Sequence, residues 1–268
     1  MTAVRFPGTV IHSTRERDLE LQVVDTSSSR SLHFGSLSRQ SSMWLSAPTR
    51  LQLPYTRAMM SALLFCPAPR RVLSIGLGGG SLAKFLLQEF PDCVVDAVES
   101  SPAVVDVAYR LFQLPRSERL RVHITRGESF VAELPETARY DFILADAFLA
   151  HGSATCMQRS GFFAACARHL CRPEGVLVTN LWRGRNTGYV DSLEALREAF
   201  GRPPLRLPVG GRGNVVAVSP CSPCDRRDLS RLRGRAHTLQ QRLDLTFPAY
   251  LQTLSDSATL WQRLLARI

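Results

Sequence analysis

Four glycines within five residues stand between a predicted strand and a predicted helix in the first third of the chain. Arg71–Ile75 is short and mostly apolar, which is typical of a buried strand. The segment Gly76–Gly80 comes next, and Ser81–Phe90 then places its apolar side chains at helical spacing. Glycine lets a backbone approach a ligand closely, because no Cβ stands in the way. This order of strand, glycine loop and helix is typical of the first unit of a nucleotide-binding α/β sheet.

The alternation of strand and helix continues toward residue 220. Further strands are predicted at Val94–Val98, Leu120–Thr125, Tyr140–Ala145, Val176–Asn180, Leu205–Leu207 and Val215–Ser219. Helices are predicted at Ala103–Phe112, Phe162–Leu170 and Asp191–Phe200, the first of them capped by Ser101. Such alternation predicts an α/β fold, with a parallel sheet and helices on both of its faces.

Both ends of the chain differ from this central pattern. Residues 1–60 alternate apolar and polar side chains and are predicted to form short strands, with a turn over Thr26–Arg30. This small N-terminal β-region is expected to pack on the adjoining central segment, because it is too short to hold a core of its own. A Rossmann-like nucleotide-binding domain is predicted over residues 61–222, and a helical extension over residues 223–268.

The helical extension separates leucines from arginines. One stripe of the predicted helices carries the leucines Leu229, Leu232, Leu239 and Leu243. Arginines crowd the other positions, at Arg226, Arg227, Arg231, Arg233 and Arg235. We favour a solvated arginine face over an anion-binding one, since charge clusters on helices usually face water.

Composition sets several classes of protein aside. The 268 residues carry a formal net charge of +10, but 8% aromatic residues, not interleaved with the arginines, argue against nucleic acid as a partner. No apolar run approaches the roughly 18 residues of a membrane span, and the first residues lack the apolar core of a secretory signal. Seven cysteines in no framework spacing indicate reduced thiols and a cytoplasmic protein.

The second strand ends in an acid at the offset that a nucleotide site requires. Glu99 follows Gly76 by 23 residues, and an acid there can accept both ribose hydroxyls. The dinucleotide fingerprint is incomplete because Ser81 occupies its last glycine position, and the chain lacks the Gly-Lys-Ser/Thr of a P-loop. The spacing therefore favours a nucleoside without pyrophosphate, such as an S-adenosyl sulfonium compound.

Several motifs in order resemble the spermidine synthase family, and more closely its bacterial spermidine-synthase-like branch. They are VLSIGLGGGSL from Val72, VDAVESSP from Val95, Gly127–Ser129 and YDFILAD from Tyr140, with weaker matches at Gln40 and Pro54-Tyr55. The resemblance implies a class I methyltransferase-like sheet and a small-molecule acceptor, with decarboxylated S-adenosylmethionine as the co-substrate. It also implies a homodimer.

The same resemblance implies a set of site residues. Gly76, Gly78 and Gly80 would line the nucleotide, and Glu99 would bind its ribose. Glu128 and Ser129 would lie near the adenine. Gln40 and Tyr55 would approach the sulfonium tail, and Asp146 would be the catalytic acid or base.

The family's acidic positions are only partly filled in this chain. Gly79 stands where the family has an acid facing the aminopropyl amine, and Leu149 replaces the second acid after Asp146. Two further acids are replaced by Arg57 and Ser101. A protonated amine needs carboxylates to hold it and to take its proton, so simple putrescine is not expected as the acceptor. The sequence does not decide between S-adenosylmethionine and its decarboxylated form as the co-substrate. It also leaves three functions open: aminopropyl transfer, methyl transfer, and nucleotide binding without catalysis.

Other candidate residues have weaker support. The pair Cys221 and Cys224 follows a strand and precedes a helix, where a thiol pKa can be lowered, but no second pair at ligand spacing predicts a metal site. His151 is expected in the exposed loop after Asp146. Trp182 is expected to pack in the core rather than to rim the pocket with Arg183.

Overall fold

The computed structural model describes residues 6–16, 19–149, 152–153, 155–184, 187–210 and 213–265. Four strands form an antiparallel N-terminal sheet in the order β1-β2-β3-β4: β1 (Thr9–Glu16), β2 (Leu19–Asp25), β3 (Ser29–Phe34) and β4 (Arg39–Trp44). The turn predicted over Thr26–Arg30 ends two residues earlier, at Ser28, because the amide of Ser29 donates to Thr26 Oγ1 at 3.0 Å and β3 starts at Ser29.

A second sheet of seven strands forms the centre of the molecule. The remaining strands are β5 (Arg71–Ile75), β6 (Val94–Glu99), β7 (Leu120–Ile124), β8 (Phe142–Ala145), β9 (Phe148–Leu149), β10 (Gly152–Ser153), β11 (Val176–Trp182), β12 (Leu205–Pro208) and β13 (Asn214–Pro220). The order of the central sheet is β12-β13-β11-β8-β5-β6-β7, while β9 and β10 pair with each other.

Helices surround the central sheet. They are α1 (Pro54–Met59), α2 (Ser81–Glu89), α3 (Pro102–Leu111), α4 (Gly127–Glu133), α5 (Ser160–Arg168), α6 (Tyr189–Phe200), α7 (Arg226–Arg231), α8 (Arg233–Leu243) and α9 (Phe247–Leu265). Short 3₁₀ turns follow α1 and precede α5. None of the helices within the described residues combines the length and apolar character that a bilayer span requires.

The predicted parallel sheet needs one correction. β13 runs antiparallel to both of its neighbours, β11 and β12, whereas the other neighbouring pairs are parallel. The short connection over residues 209–213 is the physical reason, because a parallel pairing needs a crossover of a dozen or more residues.

Both faces of the central sheet are buried. Successive residues of a strand face opposite sides of the sheet, so Val72 and Leu73 of β5 belong to different core clusters. The α/β fold with both sheet faces covered is confirmed.

The N-terminal sheet shares its core with α3. Leu21, Leu32 and Met43 pack with Val107 and with Phe112, the residue that ends α3. All five side chains are almost fully buried. The sheet therefore has no separate core and is held against the central domain, although the domain boundaries at residues 60 and 222 stay predictions.

The leucine stripe of the helical extension is buried as predicted. Leu229, Leu239 and Leu243 lie in the main core, and Leu232 is partly buried beside them. Arg235 departs from the solvated arginine face, since its guanidinium donates to the carbonyls of Leu64 (2.7 Å) and Phe65 (3.1 Å).

Lys84, the single lysine of the chain, is buried where α2, β4 and the end of α3 meet. Its Nζ donates to the Phe112 carbonyl at 2.6 Å and lies 3.2 Å from Met43 Sδ. Desolvation lowers the pKa of Lys84 to about 8. Between this value and the ordinary lysine value near 10.4 the unfolded chain binds more protons, so the contribution of Lys84 to stability rises with pH.

Replacing Lys84 with methionine should remove this pH dependence. We expect the unfolding free energy of the wild type, minus that of Lys84→Met, to increase by about 2 kcal/mol from pH 8 to pH 10. Urea unfolding of both proteins at both pH values measures this free-energy difference. Thiols and phenols also titrate in this range, but they contribute equally to the two proteins, so their contributions cancel in the difference. A difference independent of pH would show that the ammonium is not desolvated.

Candidate active site

The register of the central sheet brings four polar or glycine positions into one row. Ile75 pairs with Val98 on one side and with Ala145 on the other, and Ala145 pairs with Thr179. The next residues along the four strands are Gly76, Glu99, Asp146 and Asn180. Since parallel strands end at the same edge, this row is the expected ligand edge of a doubly wound sheet.

The backbone conformation of the glycine loop requires glycine at Gly76 and at Gly80. Gly76 has φ of +95°, and a Cβ on it would lie 2.3 Å from the backbone oxygen of Asp146. Gly80 has φ of +71° and precedes the first residue of α2. The loop is tied to the N-terminal sheet, because the Gly79 amide donates to Ser41 Oγ at 3.0 Å. The loop is therefore closely packed against its neighbours, in a conformation that side chains at these positions would disturb.

Glu99 lies between the glycine loop and the loop after β6. Its carboxylate accepts the amides of Leu77 (3.1 Å) and Ser101 (3.0 Å), and the Ser100 hydroxyl at 3.4 Å. A carboxylate has about four acceptor positions, so capacity remains for a ligand hydroxyl. The side chain is partly exposed, and it is held rigidly at the place where a ribose is expected.

Asp146 is enclosed by polar groups from three other elements. Asn180 Nδ2 donates to its Oδ1 at 2.8 Å, and the Tyr55 hydroxyl of α1 faces it. Burial raises the pKa of Asp146 to about 7, against the hydrogen bond from Asn180, and the charge of Glu99 adds to the increase. A carboxyl group with this pKa can exchange a proton near neutral pH.

Tyr55 and Gln40 meet beside this carboxyl group. The Tyr55 hydroxyl donates to the Gln40 carbonyl at 3.0 Å. Burial and the neighbouring Asp146 raise the pKa of Tyr55 well above its usual range, so the phenol stays protonated. A Cβ on Gly78 would lie 3.9 Å from the same Gln40 carbonyl oxygen. The structure thus brings Gln40, Tyr55 and Asp146 together at the glycine loop.

Glu128 and Ser129 lie in the first turn of α4, and both are partly buried. Arg126 pairs with Glu128, with 2.6 Å between Arg126 Nη2 and Glu128 Oε1. Burial alone would raise the pKa of Glu128, but its backbone amide, Arg126 and Cys156 hold that pKa below its usual value. Gly127 packs against Ile75 at the end of β5, where a Cβ on Gly127 would lie 2.5 Å from Ile75 Cγ2. Glu128 is therefore an ionised acid after β7, two strands along the sheet from β5 and the glycine loop.

The structure shows which groups occupy the positions where the family resemblance implies acids. A Cβ on Gly79 would lie 2.7 Å from the ring of Phe112, which is fully buried. Arg57 is turned away from Asp146, since its guanidinium donates to the Asp244 carbonyl at 3.2 Å. At residue 101 a carboxylate is supplied by another segment instead, because the Ser101 hydroxyl donates to Glu16 of β1.

The structure does not support an activated thiol at the cysteine pair, the core position expected for Trp182 is wrong, and His151 lies outside the described residues. Burial raises the thiol pKa of both Cys221 and Cys224, the latter to about 11, so neither is the activated thiolate that the sequence context allowed. Trp182 is not a core residue: it is 39% exposed, because β11 extends past the buried part of the sheet. His151 is not among the described residues. Within those residues, no group of three or more His, Cys, Asp or Glu side chains is arranged to hold a metal ion.

Sequence reasoning missed two asparagines at the site. Asn214 Nδ2 donates to Asn180 Oδ1 at 3.0 Å, and Asn180 in turn contacts Asp146. A signal existed for Asn180, a polar residue at the end of an apolar strand. Asn214 gave no such signal, because its position depends on how β13 pairs with β11.

Comparisons with known proteins place this geometry in context. No protein-family model matches the chain. The polyamine aminopropyltransferase of Chromobacterium violaceum is 35% identical over 239 residues, which are 89% of this chain and 90% of that protein. A crystal structure of human methyltransferase-like protein 13 in complex with SAH is 27% identical, with a TM-score of 0.63 over 72% of this chain and 93% of that one. A spermidine synthase in complex with the transition-state analogue AdoDATO has a TM-score of 0.70 over 94% of this chain and 88% of that one, and at 13% identity it shares the fold.

Proposed function

The chain belongs to the polyamine aminopropyltransferase family, and on that premise we propose that it transfers an alkyl group from an S-adenosyl sulfonium nucleotide. The transferred group is aminopropyl, by analogy with the family, and the acceptor is an amine other than simple putrescine. The observation that carries the proposal is the row of Gly76, Glu99 and Asp146 along one sheet edge. Glycine backbone, a ribose-binding acid and a proton-accepting acid are the three elements that this reaction needs.

The residues present fit the nucleotide. Glu99 retains acceptor capacity for ribose hydroxyls while its position is fixed by the Leu77 amide. Gly78 adds no side chain where the loop meets Gln40 and Ser41. The phenol of Tyr55 and the carboxyl of Asp146 then define the side of the site toward which the sulfonium tail extends.

The chemistry is a displacement at the carbon next to the sulfonium sulfur. The amine lone pair forms the new C–N bond while the C–S bond breaks, and its electron pair neutralises the sulfur. An aliphatic amine arrives protonated, with a pKa near 10, so a base must take its proton before attack. Asp146, with a pKa raised to about 7, accepts that proton above neutral pH. Alignment of donor and amine supplies the rest, because the leaving group is already activated.

The acceptor site is less acidic than a diamine requires. Leu149 stands where the family has its second acid after Asp146, and Arg57, which replaces a further acid, is directed to the C-terminal helices. The formal charge of +10 also repels a dication at long range. We therefore expect putrescine to be a poor acceptor relative to an amine that carries one charge.

Two measurements test the proposal. Calorimetric titration with S-adenosylmethionine and with its decarboxylated form should show binding of the decarboxylated donor. Mass spectrometry after incubation with putrescine and with singly charged amines should then show an aminopropyl adduct and the released thioether nucleoside. Absence of binding of either donor at millimolar concentration would overturn the proposal, as would binding without any adduct on the amines offered. Putrescine as the best acceptor would overturn its acceptor part.

Methyl transfer is the second candidate. The absence of an acid at Gly79 removes a group that would repel the carboxylate of intact S-adenosylmethionine. The likeness to methyltransferase-like protein 13 at 27% identity also favours it. Incubation with methyl-labelled donor and cell extract would reveal a labelled product, and preferential binding of the intact donor in calorimetry would move the assignment to this candidate.

Phe112 and Gly79 give a designed test of donor choice. Gly79→Asp alone should lower stability, since its Cβ meets the Phe112 ring at 2.7 Å. The double variant Gly79→Asp with Phe112→Ala opens space for the acid, and we expect it to improve the preference for the decarboxylated donor by about tenfold, through one added charge-assisted contact. Phe112→Ala alone is the matched control. An unchanged ratio of the two dissociation constants in a folded double variant would contradict this role of residue 79.

A further inference from the structure

We propose that Asn180, oriented by Asn214, is a positioning residue that holds the Asp146 carboxylate for proton transfer. The inference rests on the proposed function, because it assigns a task to Asp146 in that reaction. Asn180 ends the apolar part of β11 and is 1% exposed, while Asn214 begins β13 and is 7% exposed. Two buried amides in contact with each other and with a site carboxylate need a reason beyond packing.

The two hydrogen bonds define which way the Asn180 amide faces. Asn214 Nδ2 donates to Asn180 Oδ1 at 3.0 Å, so the oxygen of Asn180 faces β13. Its Nδ2 then faces the opposite way and donates to Asp146 Oδ1 at 2.8 Å. A reversed amide would set donor against donor at Asn214 and acceptor against acceptor at Asp146. The reversed state therefore loses both hydrogen bonds inside a buried region, which disfavours it.

The fixed amide acts on the carboxylate in two ways. A donated N–H stabilises the ionised form of Asp146 and opposes its desolvation. The bond also restricts rotation of the carboxyl group, so that its remaining acceptor positions keep one direction. Among the described residues, the other groups that face Asp146 are the Tyr55 phenol of α1 and the carboxylate of Glu99 at the end of β6, and Glu99 disfavours the ionised form. Asn180 thus counteracts both burial and a neighbouring negative charge.

The pH profile of kcat/KM distinguishes this role from a structural one. We expect the acidic limb of the wild type near pH 7 to move up by about one pH unit in Asn180→Leu. Activity at pH 7 then falls about fivefold and recovers at pH 9. Asn214→Leu should move the limb in the same direction by a smaller amount, because the Asn180 amide is released rather than removed.

Thr179→Val is the matched control. Thr179 precedes Asn180 on β11, is fully buried, and its hydroxyl has no hydrogen-bond partner among the described residues. Valine keeps its shape, so the acidic limb should stay at its wild-type pH. A limb unmoved in folded Asn180→Leu, or moved equally in Thr179→Val, would overturn the proposal. If Asn180→Leu does not fold, the limb of Asn214→Leu decides in the same way.

A carboxyl titration separates this proposal from the proposed function. The ¹³C resonance of the Asp146 carboxyl group can be followed with pH in the absence of donor and acceptor. We expect its midpoint to increase in Asn180→Leu even if no transferase activity is detected. An unchanged midpoint would refute the positioning role of Asn180, whereas a shifted midpoint in a protein without activity would refute the proposed reaction alone.

Discussion

Asp146→Asn is expected to lower kcat by about 100- to 10,000-fold, the range that a general base contributes. Asparagine keeps the size of the side chain and the contact with Asn180, but it accepts no proton from the amine. Donor binding should stay within a few-fold of the wild type, since the nucleotide is held by the glycine loop and Glu99. Steady-state kinetics with the decarboxylated donor, together with calorimetry, measures both quantities. Asp106→Asn, at an exposed ion pair with Arg110 on α3, is the matched control.

Titration of Asp146 should make activity and stability change in opposite directions with pH. Activity needs the ionised carboxylate, so kcat/KM of the wild type should rise with pH through about 7. The folded-state pKa lies above the ordinary value near 3.9, so the folded chain binds more protons between these values and stability falls as pH rises. Asp146→Asn should therefore unfold at a higher urea concentration than the wild type at pH 8. An active and less stable variant would contradict both assignments.

Local patterns predicted the parts of the site that depend on neighbours in sequence. The strand Arg71–Ile75 is observed with the predicted bounds, because its apolar residues and the glycines after it define both ends. Ser101 caps α3 as expected, with its hydroxyl accepting the Val104 amide at 3.2 Å. Glu99 is found by the same local logic, since the end of a strand is marked by the first polar residue after an apolar run.

Features that depend on contacts between distant segments were not predictable in this way. The Phe112 ring lies beside Gly79 because α3 packs against the N-terminal sheet, and neither segment signals the other. Ser41 binds the Gly79 amide across the same interface. The antiparallel β13 and its Asn214 depend on pairing with β11, which periodicity does not encode. The residues at the strand ends can thus be predicted from the sequence. The side chains that contact them from distant segments are identified only once the fold is known.

Glu99→Ala should weaken donor binding by at least about 100-fold, because one side chain supplies charge-assisted hydrogen bonds to the sugar. The loss should be equal for S-adenosylmethionine and its decarboxylated form, since both carry the same ribose. Part of it comes from the protein itself: Glu99 also accepts the amides of Leu77 and Ser101, so alanine releases two loops as well as the ligand.

Glu99→Gln separates these two contributions. Glutamine keeps one acceptor oxygen, so it retains the hydrogen bond to one loop amide, sets its NH2 group against the other, and loses the negative charge. We expect a loss in donor affinity of about tenfold and a thermal midpoint between those of the wild type and Glu99→Ala. Glu128→Gln, at the adenine side, should weaken both donors less than Glu99→Ala does, because Arg126 already occupies part of that carboxylate. Calorimetry of the three variants with both donors gives the ranking. Donor affinity that survives in a folded Glu99→Ala would place the ribose elsewhere, and the row of strand ends would then no longer carry the assignment of this site.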